Sequence, residues 1–245
     1  MRVVGAATIK STCAHGATLD VDGGHELVVT ALEEDMIRVR LERHGKRAVD
    51  RSWMVAPGGA SSVPCEGRPK EATDGFAMPI ATVETDATRS NISIATSRLR
   101  VIIPLGIKPL ALQWEWKDVA KGGQWLPLLH DRRTGAYYLG RRDSRLSHHV
   151  RRGRGDKFFG LGEKSGALNK AGRRYRMDCH DALGYNAELS DPLYKFWPFY
   201  IAKPANALPG TPTTASAAYG MFYDNPASCT FDLGCAFDNY RELAS

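Results

Sequence analysis

The sequence predicts an all-β fold, an antiparallel β-sandwich with little helix. Apolar and polar residues alternate along many short runs, and turn residues separate these runs. No long segment has the periodicity of an amphipathic helix. Apolar residues make up 43% of the 245 residues, which is an ordinary share for a globular protein that buries a core.

The predicted strands begin with a hairpin, in which 25–32 and 35–42 are joined at Glu33-Glu34. In the second strand of this hairpin, alternate apolar residues share one face and arginines take the other. Further runs predict strands at 80–85, 91–104, 110–116, 136–140, 145–151, 157–161, 173–179, 197–202, 218–224 and 229–233. Many short strands with frequent turn signals are typical of a β-sandwich.

Two segments break this pattern. Residues 56–79 are dense in Gly, Pro and Ser, and they predict a long irregular connection that is ordered only if it packs on the sheet. Residues 203–217 carry few bulky side chains and indicate a mobile hairpin tip. The final residues, YRELAS, contain no clear element, so we expect the last strand or a following domain to lie beyond them.

The basic residues are concentrated in one stretch. Lys and Arg number 33 against 27 Asp and Glu, and eight arginines lie between Arg132 and Arg154 with Asp143 as the only acid. A nucleic-acid patch is one interpretation of such a stretch. We favour solvated arginines on strands and turns, because no aromatic residues interleave with them for base stacking. We therefore expect no nucleic-acid partner.

The five cysteines are scattered, and no two form a CxxC pair. This spacing, together with an N-terminus that lacks a long apolar stretch, favours free thiols, a reducing compartment and a cytoplasmic location. No apolar run approaches the length that crosses a membrane, so we expect no membrane partner.

The most reactive side chains in the sequence stand together as Cys179, His180 and Asp181. Each can bind a metal or act in acid–base catalysis, but neighbouring side chains point to opposite faces of a strand. If the strand of 173–179 continues, Cys179 and Asp181 share a face and His180 points away. We therefore expect no metal at this triplet, no Cys–His nucleophile pair, and no cofactor elsewhere.

Two other segments contain candidate residues. GLGEKSG, residues 160–166, departs from both the dinucleotide-binding and the phosphate-loop patterns, so its glycines predict a bent strand or a close backbone approach. Lys164 is expected to be exposed and without a specific role. His148, His149 and Glu163 suggest a mutarotase-like acid–base set, but we favour exposed polar residues on a strand.

Residues 158–202, FFGLGEKSGALNKAGRRYRMDCHDALGYNAELSDPLYKFWPFYIA, resemble the N-terminal domain of glycoside hydrolase family 31, the α-glucosidase and α-xylosidase family. The resemblance rests on the GLGE turn, an Asp-Ala loop, SDPLYK and an apolar PF strand, in that order. It continues through AYGMFYDNPASCTFDLG, residues 218–234, and through the more divergent RSWMVAP, residues 51–57. The family's usual Asn-Thr before the loop Asp is Cys179-His180 here.

The resemblance implies a galactose mutarotase-like β-supersandwich, with residues 1–245 as a single N-terminal domain. In the family, the nucleophile and the acid/base belong to a (β/α)₈ barrel that follows this domain. No Asp-Met-Asn-Glu-like strand end occurs in this sequence, so we assign no catalytic residue and expect the chain to be inactive alone. The expected partners are that barrel and an α-glycoside substrate.

The resemblance also assigns a role to the triplet. The matching family loop reaches over the barrel mouth, and its Asp accepts hydrogen bonds from sugar hydroxyls. This makes Asp181 a substrate-binding residue, with His180 beside the same subsite. Two alternatives stay open: a free-standing, non-catalytic carbohydrate-binding sandwich, and a basic nucleic-acid-binding β protein.

Overall fold

The computed structural model describes residues 1–43, 49–59, 63–119, 122–140, 145–205, 217–237 and 240–244. Within these ranges the chain is built of antiparallel β-sheets, and the helical content is a single 3₁₀ turn at Pro57–Gly59. The predicted all-β class with little helix is confirmed. No helix in the described ranges is long and apolar enough to cross a membrane.

The chain divides into two compact units. We call Val3–Gly135 the N-terminal unit, and Met1–Arg2 with Ala136–Ser245 the C-terminal unit. The expectation of a single domain over residues 1–245 stays a prediction, because the division does not decide whether either unit folds alone.

Two larger sheets and a two-stranded ribbon form the N-terminal unit. Four strands lie in sequence order in one sheet, namely β2 (Ala7–Cys13), β3 (Gly16–Val21), β4 (His25–Glu33) and β5 (Met36–Arg43). The ribbon pairs β6 (Arg51–Ser52) with β7 (Arg68–Pro69). The second sheet is five-stranded and also follows sequence order, with β8 (Thr82–Asp86), β9 (Asn91–Ala95), β10 (Leu99–Pro104), β11 (Gln113–Asp118) and β12 (Gln124–His130).

The predicted run 91–104 is two strands and not one. Thr96 divides it, because its hydroxyl accepts hydrogen bonds from the backbone N–H groups of Arg98 (3.2 Å) and Leu99 (2.9 Å). A hydroxyl bonded in this way fixes a tight turn. The alternation on either side is retained, since β9 and β10 pair antiparallel and bury isoleucines on one shared face: Ile92, Ile94 and Ile103 have no exposed surface.

The described parts of the irregular connection 56–79 are packed on the sheet. Arg38 on β5 donates hydrogen bonds to the backbone carbonyls of Lys70, Glu71 and Ala72, each at 2.9 Å. Arg68, which is nearly buried, reaches the carboxylate and the carbonyl of Asp74, also at 2.9 Å. Two arginines therefore fix the position of a segment whose regular secondary structure, in its described residues, is limited to a 3₁₀ turn and the two-residue strand β7.

The C-terminal unit contains a six-stranded and a three-stranded sheet. The larger sheet has the order β1 (Arg2–Val3), β13 (Tyr137–Leu139), β14 (Leu146–Arg151), β20 (Tyr240–Ala244), β19 (Cys229–Asp232) and β16 (Arg174–Met177). The smaller sheet has the order β15 (Lys157–Gly162), β17 (Phe196–Lys203) and β18 (Tyr219–Phe222). The predicted hairpin tip 203–217 falls mostly on residues 206–216, which lie outside the described residues.

The end of the chain corrects the sequence analysis. YRELA, for which the sequence predicts no element, is β20, an inner strand between β14 and β19. It pairs with β19, the preceding strand, and with β14, which is distant in the sequence. The pairing with β14 leaves no local signal. Leu243 shares a buried core with residues of both sheets of this unit, including Phe158, Tyr175, Tyr200 and Phe231.

Cys229 belongs to this core, whereas Cys13, Cys65, Cys179 and Cys235 are exposed, and all five are free thiols. Burial raises the pKa of the Cys229 thiol to about 11, and nearby Lys164 acts in the opposite direction. A thiol reagent at pH 8 should therefore modify four thiols quickly and the fifth only on unfolding. Timed thiol counting measures the fast and the slow rate of modification, and rapid modification of all five thiols would contradict the burial of Cys229.

The raised pKa also has a consequence for stability. Because it keeps Cys229 protonated in the folded chain, the contribution of this thiol to stability should fall as the pH rises from about 9 to 11.

Candidate functional site

The triplet lies in an exposed loop and not in a strand. The strand predicted at 173–179 ends at Met177, and residues 178–195 form a loop between β16 and β17, which we call the 178–195 loop. Cys179, His180 and Asp181 are all exposed. The argument from strand alternation therefore does not apply to them, and their side chains are positioned by the loop.

Backbone and side-chain contacts fix the start of this loop. The Asp178 carboxylate accepts the Cys179 N–H at 3.0 Å and pairs with Arg176 at 3.2 Å. The His180 N–H donates to the Leu193 carbonyl at 3.0 Å, which joins the two ends of the loop. Asp181 makes no side-chain hydrogen bond or ion pair with any residue that the structure describes. Its carboxylate is thus available to an outside donor.

Two tyrosines stand beside Asp181 and were not singled out from the sequence. The Tyr194 hydroxyl donates to the Ala182 carbonyl at 3.2 Å, and the Tyr185 ring meets the Tyr194 ring edge-on at 6.3 Å. Both rings are about half exposed. A free carboxylate beside exposed aromatic surface can bind a ligand with both hydroxyl groups and apolar faces. Tyr194 lies in the SDPLYK motif, which was the available signal.

No cluster of three or more metal-binding side chains occurs among the described residues. The hydrogen bonds that the structure describes for the triplet are made by the backbone N–H groups of Cys179 and His180. The three side chains are therefore separate hydrogen-bonding groups that are exposed to solvent.

A buried ion pair anchors the base of the loop. The Lys164 side chain has no exposed surface, and its ammonium group lies 3.0 Å from the carboxylate of Asp191. The same carboxylate accepts the Arg176 N–H at 2.6 Å, and Lys164 also donates to the Arg176 carbonyl. The pair thus ties GLGEKSG, β16 and SDPLYK together at one point.

This finding corrects the expectation that Lys164 is exposed and without a role. A second lysine supports it: Lys170 donates to the carbonyls of Lys164 (3.1 Å) and Ser165 (3.4 Å). Burial lowers the pKa of Lys170, and the charges of Arg173 and Lys164 lower it further. Two buried ammonium groups sharing one segment make the packing here sensitive to the loss of any carboxylate partner.

The far side of the loop is held by GLGEKSG itself. The Gly166 N–H donates to the Ala187 carbonyl at 2.8 Å, and Arg173 donates to the Glu188 carbonyl at 2.9 Å. Gly166 has a φ of +81°, and a Cβ there would lie 1.9 Å from the Arg173 guanidinium. A Cβ at Gly160 or Gly162 would lie 2.7 Å or 2.9 Å from a backbone atom of Phe199 or Phe196, which confirms the predicted close backbone approach.

The paired histidines are buried, which overturns the expectation of exposed strand residues. His148 stacks on Tyr137 at 4.6 Å, and its Nδ1 lies 2.8 Å from the Tyr223 hydroxyl. His149 instead meets Tyr138 and lies 3.8 Å from a carboxylate oxygen of Glu242 on β20. The two rings have separate partners, as expected for neighbours on a strand. Their rings are buried against aromatic side chains, His148 against Tyr137 and Tyr223 and His149 against Tyr138.

The basic stretch is distributed over several local contacts. Arg132 donates to the Gly135 carbonyl at 2.8 Å, and Arg152 lies against Gly234. Arg133, Arg145, Arg151 and Arg154 are exposed, and Arg141 and Arg142 lie outside the described residues. The described arginines thus fit the interpretation as strand and turn residues, and the absence of a nucleic-acid partner stays a prediction.

These observations define an antiparallel β-sandwich domain that presents a firmly anchored polar loop to solvent. Residues 26–232 match the family described as the glycosyl hydrolase 31 N-terminal galactose mutarotase-like domain. The match covers most of the chain, and the chain belongs to this family. The resemblance stated from the sequence motifs is therefore confirmed.

Individual relatives agree with this assignment. "Alpha-glucosidase 2" of Bacillus thermoamyloliquefaciens is 33% identical over 85 residues, which are 35% of this chain and 10% of that protein. A GH31 dextranase of Flavobacterium johnsoniae, solved as a mutant complexed with isomaltotriose, matches the whole chain with a TM-score of 0.74 and 20% identity. A cycloalternan-forming enzyme of Listeria monocytogenes, solved with its pentasaccharide substrate, matches 98% of the chain with a TM-score of 0.66 and 15% identity.

The chain spans only part of each of these proteins. It covers 25% of the dextranase and 19% of the cycloalternan-forming enzyme. At these identities the two solved structures establish the fold of this chain and leave the roles of its residues to be argued from its own geometry.

Proposed function

We propose that this chain is the N-terminal, substrate-pocket-shaping domain of a retaining α-glycosidase. In this role the 178–195 loop contributes to the sugar-binding pocket, while the reacting carboxylates belong to a following barrel. Asp181 accepts hydrogen bonds from sugar hydroxyls, and His180 flanks the same subsite. A carboxylate can accept from two vicinal hydroxyls at once, and such charge-assisted bonds are stronger than neutral ones.

The observation that carries this proposal is the contrast between Asp181 and the base of its loop. Asp181 is exposed and has no partner among the described residues, whereas Lys164 and Asp191 fix the loop through a buried pair. A binding group must be held in place to avoid an entropic cost each time the ligand binds. An anchored loop with a free carboxylate meets that requirement.

The second partner, the barrel, requires a surface on which to pack. Trp197, Phe199 and Ile201 lie on one face of β17 with 51%, 39% and 43% of their surface exposed. Phe222 on β18 stands directly opposite Phe199 and extends this face. An exposed apolar face of this kind commonly marks an interaction surface. Because the chain spans a quarter of the matched dextranase, we propose that the rest of a longer polypeptide covers it.

The genomic sequence beyond codon 245 tests this arrangement directly. An in-frame barrel with an Asp-Met-Asn-Glu-like strand end supports the domain of a glycosidase. A stop codon found at this point in several isolates would reject it and favour a free-standing carbohydrate-binding sandwich.

The 245-residue chain alone should not hydrolyse aryl α-glucosides or α-xylosides above background. A retaining glycosidase needs two carboxylates about 5–5.5 Å apart, and we assign neither to this chain. The measurement is release of the aryl leaving group by the purified chain, with the complete enzyme as the positive control. Turnover that a point substitution within residues 1–245 abolishes would overturn the assignment.

A further inference from the structure

A groove on the N-terminal unit has a chemistry that the loop site does not use. It lies on the face of the five-stranded sheet opposite the buried isoleucines of β9 and β10, and its volume is about 550 Å³. This volume is in the range of small-molecule binding pockets, roughly 300–1,000 Å³. Strands β8 to β11 and the turn between β8 and β9 supply the side chains that line it.

The groove contains a fixed charged pair. Arg100 on β10 donates through Nε (2.6 Å) and Nη2 to the same oxygen, Oε2, of Glu115 on β11. The guanidinium also lies over the Trp125 ring, 4.6 Å from its centroid, so its orientation is constrained from two sides. Because both bonds use one carboxylate oxygen, Arg100 Nη1 and Glu115 Oε1 have no partner among the described residues.

Three further polar side chains line the groove without using their hydrogen-bonding capacity. Glu84, Asn91 and Ser93 make no side-chain hydrogen bond or ion pair with the described part of the chain. Asp86 differs, because its carboxylate is occupied by Thr88 and by the Arg89 N–H, and these hydrogen bonds lower its pKa. The groove therefore combines available donors and acceptors on strands, which hold side chains more firmly than a free loop does.

The mixture of charges selects the class of ligand. The lining contains the carboxylates of Glu84, Asp86 and Glu115, which oppose an anion such as a phosphate. It also contains the guanidinium groups of Arg89 and Arg100, which oppose a cation. A hydroxyl group both donates and accepts, so adjacent hydroxyls can take a hydrogen bond from Arg100 and give one to Glu115. Ile102 adds an apolar surface between the polar groups.

We propose that this groove binds a neutral saccharide at a site independent of the 178–195 loop. The proposal goes beyond the pocket-shaping role, because it uses other residues and needs no catalytic barrel. The site would attach the protein to a sugar chain without taking part in bond cleavage.

The test is isothermal titration calorimetry of the 245-residue chain with maltotriose as the neutral probe and glucose 6-phosphate as the anionic probe. We expect saturable binding of maltotriose. Glu84→Ala and Asn91→Ala should each weaken it roughly tenfold, the usual effect of losing a hydrogen bond to a charged or well-oriented group. Glu84 is exposed and without described contacts, so its removal should leave the melting temperature unchanged.

A control variant separates this site from a general effect of surface charge. Glu66→Ala removes an exposed glutamate outside the groove, so it should not change the affinity. Absence of saturable maltotriose binding would overturn the groove proposal, and so would full affinity in the Glu84→Ala, Asn91→Ala double variant. Loss of affinity in Glu66→Ala, or a preference for glucose 6-phosphate, would overturn it as well. None of these results bears on the hydrolytic role of Asp181, which is measured in the complete enzyme.

Discussion

Asp191→Ala should lower the free energy of unfolding of the 245-residue chain by about 3–5 kcal/mol, the usual cost of breaking a buried ion pair from one side. The substitution leaves the fully buried Lys164 ammonium without this carboxylate, and it also removes the acceptor of the Arg176 N–H. Urea denaturation followed by tryptophan fluorescence measures the change. The 178–195 loop should lose its fixed position at the same time.

The matched control lies at the other end of the same loop. Asp178→Ala breaks an ion pair with Arg176 and should lower the free energy of unfolding by at most about 1 kcal/mol. The pair is exposed, with 37% of the Asp178 side chain and 63% of the Arg176 side chain accessible to solvent. Lys164→Met combined with Asp191→Leu removes both charges and should recover part of the stability lost by Asp191→Ala alone. If Asp191→Ala and Asp178→Ala cost the same, the buried pair does not anchor the loop.

Asp181→Asn should lower kcat/KM of the complete glycosidase by roughly 5- to 150-fold, equivalent to about 1–3 kcal/mol of transition-state binding. The amide keeps the shape of the side chain but loses the negative charge that strengthens hydrogen bonds from sugar hydroxyls. Because Asp181 is exposed and makes no described contact, the melting temperature should not change.

Cys179→Ser is the control for this variant, since Cys179 is equally exposed but is assigned no contact with sugar. It should retain nearly the full kcat/KM, and a chelator should affect neither protein. An Asp181→Asn enzyme with unchanged kcat/KM, or one that fails to fold, would reject the role of Asp181. Activity that is lost on adding the chelator would instead favour metal binding at the triplet.

The sequence predicts most strands that alternate and pair with a neighbour in sequence. The hairpin of β4 and β5 and the strands β15 and β17 follow directly from their patterns. Two neighbouring strands are not predicted: β2, which is exposed along nearly its whole length, and β3, although its buried residues alternate. Also not predicted are β12, where Pro127 interrupts an almost continuous apolar run, and β20, which pairs with the distant strand β14 as well as with the preceding strand β19.

For the site as well, features that depend on local sequence motifs could be predicted, and contacts between residues far apart in the sequence could not. The motif order alone identifies the family and places Asp181 on a loop, and the structure locates that residue in an exposed segment. The burial of Lys164 could not be predicted, because its partner Asp191 is 27 residues away and nothing near Lys164 indicates the pairing. The burial of His148 and His149 was not predicted for a related reason, since their partners Tyr223 and Glu242 are distant in the sequence.

The anchored loop also decides how this protein can be re-engineered. GLGEKSG and the 178–195 loop are separate in sequence, yet Lys164, Gly166 and Asp191 join them through ionic and backbone contacts. A chimaera that imports only the loop from a relative would leave Lys164 without its carboxylate partner. Exchange of the loop between relatives therefore requires that both segments be transplanted as one cassette, with the intervening β16 included.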